Sequence, residues 1–290
     1  MPRTRPQLAG VRAFLIFSLN AIAISWLCWL PLVAADRHLM QVPQGAEPLL
    51  VILGTFGPLL AALGILARDA GMAGIRDLLA QALRWRVGIG WYLAAAVLPA
   101  VLRIAVLWLH ILKGGTVPDL SDTARWLALP STFAFVLVLG GPVGEEFGWR
   151  GYAQPRLQSA IGTLTAAVAI GLVSGLWHAP LFLIPTTPQS HLPFTLFLVR
   201  TLSLAIISAW LYNGSRRSML ILLLFHASLN TWPNALYFIE EGGSLGPYIS
   251  GTILYTGWAC LLILFGQLAG GRSRESALPR RGRAGEGAAA

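Results

Sequence analysis

The sequence predicts an all-α fold, a polytopic membrane helical bundle of about eight transmembrane helices with both termini cytoplasmic. Three observations carry that expectation. Of the 290 residues, 56% are hydrophobic and only 11% charged, whereas soluble domains carry roughly a quarter charged residues. The apolar residues gather in runs long enough to cross a bilayer core, which takes about 20 residues of helix for roughly 30 Å of hydrocarbon. The Lys and Arg residues fall almost entirely on one side of those runs, as the positive-inside rule requires.

With ends set by turn chemistry, the spans in chain order are 11–35, 48–67, 89–112, 126–152, 161–184, 193–213, 218–239 and 247–269. The first follows Arg3, Arg5 and Arg12 and ends Val33-Ala34-Ala35, as a signal peptide would. Its apolar stretch exceeds the roughly 7–15 residues of a signal h-region, so a retained helix is expected. Between the second and third spans, Ile75, Leu78, Leu79, Ala82 and Leu83 recur at helical spacing among Arg76, Asp77, Arg84 and Arg86. That is the pattern of an amphipathic helix at the cytoplasmic interface, although a basic connector has the same composition. Residues 1–270 read as a single integral membrane helical domain. Residues 271–290, rich in Gly, Ala, Arg and Ser without apolar periodicity, read as a disordered cytoplasmic tail. No internal repeat suggests an inverted-repeat transporter.

The net charge of +9 comes from 21 basic and 12 acidic residues. With the N-terminus inside, 16 of the basic residues fall on the cytoplasmic side, and only Arg37, Lys113 and Arg125 fall opposite. Interleaved with apolar runs in this way, the charge speaks for membrane lipids as surroundings and against a nucleic-acid partner. Twenty Arg against one Lys hints at a GC-rich genome, and the expected location is a bacterial-type cytoplasmic membrane. Cys28 and Cys260 sit in apolar runs with neither a CxxC pair nor metal-ligand spacing.

Ionisable groups inside spans are expensive and mark functional candidates. Glu145 and Glu146, in Gly144-Glu145-Glu146-Phe147-Gly148-Trp149-Arg150-Gly151-Tyr152, cannot both be buried and ionised without compensation. Glu146 and Arg150 are spaced i,i+4 and can pair, which leaves Glu145, about 100° around the helix, to face a cavity as a general base for water. A charge cluster at the headgroup level is the plainer alternative. His178 precedes Pro180, whose ring clashes with the carbonyl of Leu176, so a kink next to the imidazole is expected. His226 and Asn230 share one helix face and can donate two hydrogen bonds to one oxyanion, or serve as interhelical polar contacts. Arg103 and Arg200 are expected to snorkel or to pair with a carboxylate. No role is assigned to His38, His110 or His191. HExxH, GxSxG and phosphate-binding Gly loops are absent. What remains is two Glu, two His and one Asn, suited to activating water and stabilising an oxyanion, or to binding a divalent metal that does both.

These residues resemble the CPBP intramembrane proteases, also called the Abi or type II CaaX prenyl endopeptidase family. The signature EExxxR, FxxxH and HxxxN/D is met in order by Glu145-Glu146 with Arg150, by His178, and by His226 with Asn230. Ser174 stands where the family has Phe, which removes the expected aromatic packing beside His178. The resemblance covers residues 126–232. It implies that Glu145 and His178 activate water, that His226 and Asn230 stabilise the oxyanion, and that Glu146 and Arg150 support them. Whether Zn2+ or another divalent metal takes part is left open; if one does, Glu145, His178 and His226 would hold it. The implied activity is cleavage of a membrane-associated peptide or protein, prenylated or lipidated substrates included, near the cytoplasmic face. A transporter or channel, and a non-catalytic scaffold or bacteriocin-immunity-type protein, are the rival readings.

Depth poses a difficulty. A helix starting at Ile161 carries His178 about 25 Å along its axis, whereas His226 would be only about 12 Å into its own. The expectation is that residues 156–169 project or tilt, so that the two imidazoles meet Glu145 in the inner half of the membrane.

Overall fold

The computed structural model describes residues 5–115, 121, 123–236 and 245–266, and their regular elements are all helical. Ten helices follow in order: α1 Arg5–Asp36, α2 Ala46–Thr55, α3 Gly57–Leu79, α4 Ile89–Leu112, α5 Thr123–Leu139, α6 over residues 142–161, α7 Thr163–Trp177, α8 Phe194–Gly214, α9 Met219–Leu236 and α10 Gly246–Leu264. Among the described residues, seven stretches are long and apolar enough to cross a membrane. The chain is an integral multi-pass membrane protein. The predicted span 218–239 survives only as a shorter apolar helix. The predicted tail, 271–290, lies outside the described residues.

Proline and glycine decide where the helices break. The predicted span 48–67 is divided at Phe56, because Pro58 in the first turn of α3 has no N–H to continue the ladder of α2. The predicted amphipathic segment is the far end of α3, re-aimed at Gly71 (φ 60°). Leu78 there is buried, while Met72, Leu79 and Leu83 stay exposed, as an apolar face resting on lipid does. The predicted span 126–152 is interrupted by Gly140-Gly141-Pro142, where Gly141 has φ 113°. Beyond it α6 runs as Pro142–Glu146, a π-helical turn over Phe147–Ala153, and Gln154–Ile161. Pro180 acts as expected: α7 stops at Trp177 and a 3-10 turn over Ala179–Leu183 follows.

The two ends of the bundle differ in charge. At one end, Arg84 bonds the carbonyls of Arg216 and Arg217, and the start of α1 at Gly10 packs on the Arg156 carbonyl. At the other, Thr186 of the loop after α7 bonds Glu47 in the first turn of α2. The basic connectors therefore gather at the end that carries the start of α1, and the loop 184–193 at the end where α1 finishes.

One buried hydroxyl ties the crossing together. Ser25 Oγ in α1 accepts from Trp177 Nε1 at 2.7 Å and donates to the Gly54 carbonyl at 2.7 Å. Trp26 Nε1 donates to the Trp177 carbonyl at 2.9 Å, and the Trp29 and Trp177 rings pack at 4.8 Å. The last residue of α7 is thus fixed against α1 and α2. Ser25→Ala removes two of these bonds and is expected to lower stability by about 1–2 kcal/mol. Trp177→Phe, which loses the indole donor and leaves a void at a fully buried position, should cost at least as much; unfolding of both variants in mixed detergent micelles checks the order.

Candidate active site

The break at Gly140-Gly141 sets up the site. The carbonyl of Gly141 accepts the Glu145 N–H at 2.8 Å, starting α6, and the two glutamates fall in its first turns. Gly144 and Gly148 face the α2–α3 break so closely that a Cβ at either would approach the Thr55 or Pro58 carbonyl oxygen to 2.5 Å. Only bare backbone lets the carboxylates be carried this far into the bundle. Glu145, Glu146 and Arg150 are all buried, at 8%, 3% and 6% exposure.

Glu146 has two basic partners. Arg150 Nη1 lies 3.5 Å from Oε1, the expected i,i+4 pair, and His226 Nδ1 donates to the same oxygen at 2.8 Å. The second bond crosses from α9 to α6 and was not legible from spacing, since 80 residues separate the partners. It turns His226 Nε2 the other way. At Gly141 an added Cβ would stand 2.7 Å from Glu145 Oε1 and 3.7 Å from His226 Nε2, so these two atoms flank one small space that exists because residue 141 has no side chain.

His178 caps the end of α7. Its Nδ1 is 2.7 Å from the Ser174 carbonyl; a carbonyl only accepts, so Nδ1 holds the proton and Nε2 presents its lone pair. The aromatic packing that Ser174 removes is supplied from elsewhere: Trp177 is edge-on at 4.5 Å and Phe197 of α8 at 5.0 Å. Asn230 Nδ2 donates to the Gly140 carbonyl at 3.2 Å, so the asparagine secures the break before Glu145.

All six sequence-identified residues, Glu145, Glu146, Arg150, His178, His226 and Asn230, line one cavity of about 630 Å³. Its wall continues through Thr187, Pro188, Gln189 and His191 of the loop after α7 and Leu245 before α10; no residue of the connectors 80–88, 156–162 or 215–218 contributes. Among the described residues the cavity's lining thus lies toward the end away from the basic connectors.

The depth difficulty resolves through the starting points of the helices. Ser25, level with Trp177, is about 30 Å from the Arg5 end of α1 and about 16 Å from its Asp36 end. The site is therefore beyond the midpoint of α1, not in the half nearer the N-terminus. α7 begins beside the first turns of α1 and climbs about 21 Å to reach this level. α9 needs only about 10 Å to His226, because the loop before it is recessed: Ser215 and Ser218 have no exposed surface.

The residues that would hold a metal do not form a site for one. Among the described residues no three His, Cys, Asp or Glu side chains gather as a ligand set, although each histidine, with Nδ1 bonded to the protein, keeps Nε2 free as metal-binding histidines do. Glu145, His178 and His226 share the cavity without meeting as ligands.

Comparison with known proteins agrees with the motifs. Residues 125–232 match the family described as Type II CAAX prenyl endopeptidase Rce1-like. A 142-residue stretch, 46% of this chain, is 30% identical to CAAX prenyl protease 2 of Methanococcus maripaludis. That stretch spans about half of the relative's length, 51%. The likeness to the type II CAAX prenyl endopeptidase family is thus carried by residues 125–232, the segment that holds the motifs.

Proposed function

We propose that the chain is an intramembrane endopeptidase that hydrolyses a peptide bond of a membrane-associated, transmembrane or lipid-modified protein inside this cavity. The observation that carries the reading is the placing of Glu145 Oε1 and His226 Nε2 around the space at Gly141, in a cavity that His178 also lines. Water held by the Glu145 carboxylate and His178 Nε2 attacks the carbonyl carbon and gives its proton to Glu145. His226, with both ring nitrogens protonated and its charge offset by Glu146, donates Nε2–H to the oxyanion, together with the Asn230 amide that also holds Gly140. Collapse of the tetrahedral species breaks the C–N bond, and Glu145 returns the proton to the departing amine. Glu146 and Arg150 act through His226. The gathering of the polar groups in one cavity supports a hydrolase over a permeation path, which needs polar groups through the full thickness.

The side of access follows from charge. Applied to the basic connectors, the positive-inside rule puts that end in the cytoplasm; the cavity then opens to the opposite face, in place of the cytoplasmic access expected from sequence. Such access favours membrane-anchored peptides exposed outside the cytoplasm, in a bacterial-type cytoplasmic membrane.

In a membrane proteolysis assay with lipidated and transmembrane peptides, Glu145→Gln is expected to lower kcat by about 10²–10⁴-fold. His226→Ala should lower it by about 10²–10³-fold; wild-type rates in both variants would remove the assigned roles. Gly141→Ala, whose methyl fills the space between the two groups and strains a backbone at φ 113°, should lose cleavage together with some stability. Exhaustive chelation should leave cleavage intact, and loss restored by added Zn2+ would overturn the metal-free mechanism. In a chain whose Cys28 and Cys260 are replaced by Ala, an impermeant thiol reagent should label Gln189→Cys but not Arg216→Cys in intact cells. The reverse pattern would put the cavity mouth in the cytoplasm.

A further inference from the structure

A second concavity, of about 750 Å³, lies on the far end of α3 and shares no lining residue with the cavity that holds Glu145. It is built on one helix face. Beyond the turn at Gly71, Met72, Ile75, Leu79 and Leu83 follow one another at the spacing of neighbours on a helix surface and line the groove together with Arg76. Met72 and Leu83 are 75% and 76% exposed. The opposite face is anchored: an added Cβ at Gly151 of α6 would meet Leu78 Cδ1 at 2.8 Å, and Tyr212 Oη of α8 donates to Gln81 Oε1 at 2.9 Å. The groove is therefore a fixed shape held against the bundle.

Its rim is basic. Arg84 and Arg86 follow directly on Leu83, and the Arg86 guanidinium lies 5.0 Å over the ring of Trp85, which is itself exposed. Arg84 meets the turn before α9, where Arg216 and Arg217 have φ 57° and 60°, a conformation that residues with side chains seldom adopt. Ser218 Oγ donates to the Arg84 carbonyl at 2.7 Å and the Arg217 N–H to the Tyr212 carbonyl at 2.7 Å, so this turn is held with both arginines exposed. Across residues 68–86 and 214–218 six arginines stand against Asp69 and Asp77, and Asp69 is taken by Arg68 at 2.7 Å. Among the described residues no carboxylate comes within salt-bridge distance of Arg76, Arg84 or Arg86.

We propose that this groove is a binding site for one anionic phospholipid, with an acyl chain along Met72, Leu79 and Leu83 and the phosphate among Arg76, Arg84 and Arg86. Both parts of the ligand are asked for. The exposed apolar floor takes a hydrocarbon chain, which neither a free phosphate nor an acidic peptide supplies. A guanidinium fork matches a phosphate, and cations with no carboxylate beside them repel the ammonium of a zwitterionic headgroup, which leaves headgroups of net negative charge. Trp85 stands at the level where indoles meet headgroups. The site is at the basic end of the bundle, away from Glu145, and does not depend on the peptidase reading.

The test is native mass spectrometry of the full chain released from detergent micelles that hold phosphatidylglycerol and phosphatidylcholine with the same acyl chains. The wild type should retain one phosphatidylglycerol with a preference of about 25-fold or more, two or three basic residues at about fivefold each. Arg76→Gln and Arg86→Gln should each lower that preference about fivefold, and Arg76→Lys should keep most of it. Both arginines are exposed, and unfolding midpoints equal to wild type in lipid-free micelles report that the variants fold. Arg68→Gln, whose charge Asp69 already answers, should leave the preference unchanged; a loss as large as that of Arg76→Gln would mean that overall charge rather than the groove selects the lipid, and overturns the site. Equal retention of the two lipids by wild type overturns it as well. Displacement of phosphatidylglycerol by an equal concentration of glycerol phosphate would show that the apolar floor contributes nothing, and displacement by a poly-glutamate peptide would mark a surface for acidic proteins; either result ends the lipid assignment.

Discussion

A carboxylate buried among apolar helices persists only where cationic or donor groups accompany it, and Glu146 has Arg150 on its own helix and His226 on another. The first partner follows from helical spacing and stabilises α6 locally. The second docks α9 against α6 and aims the free ring nitrogen of His226 at the space beside Glu145. A single buried charge thereby docks one helix on another and, in the proposed mechanism, serves the chemistry as well. It orients the histidine while leaving the adjacent glutamate, which has neither partner within salt-bridge distance among the described residues, to face the cavity.

The supporting framework is built from backbone breaks and indole donors. Gly140-Gly141-Pro142 ends one helix and begins another at the level where the carboxylates are needed. Trp177, pinned through Ser25 to α1 and α2, holds the end of α7, so His178 inherits its position from the indole that precedes it. Interhelical hydrogen bonds of this kind are individually modest. Their value is in fixing the relative height of four helices, which apolar packing in a lipid solvent does not specify, since side chains can slide past one another at little cost.

The six residues that line the cavity together were legible in the sequence because each is a polar group placed in an apolar run, where its presence needs a reason. Gly141 and Phe197 were not. A glycine in a Gly-Gly-Pro break reads as a turn, and an aromatic residue in an apolar helix reads as core. Phe197 nonetheless supplies from α8 the edge-on packing that Ser174 fails to supply from α7. Arg103 and Arg200 were visible as anomalies, but snorkelling and pairing with a carboxylate were the natural expectations. Stacking of Arg200 on two tyrosines of α10 involves residues 48 and 55 positions away, beyond any local pattern.

The sequence by itself determined the membrane-embedded helical class, the segregation of basic residues to one end, and the identity of the polar set, because hydropathy, charge and helical period are local properties. Tertiary structure alone decided the height of the site and the end at which the cavity opens. Both depend on how deep each helix starts: the loop before α9 and the junction between α6 and α7 set those depths through contacts among distant segments, and a count of residues along one helix carries no information about them.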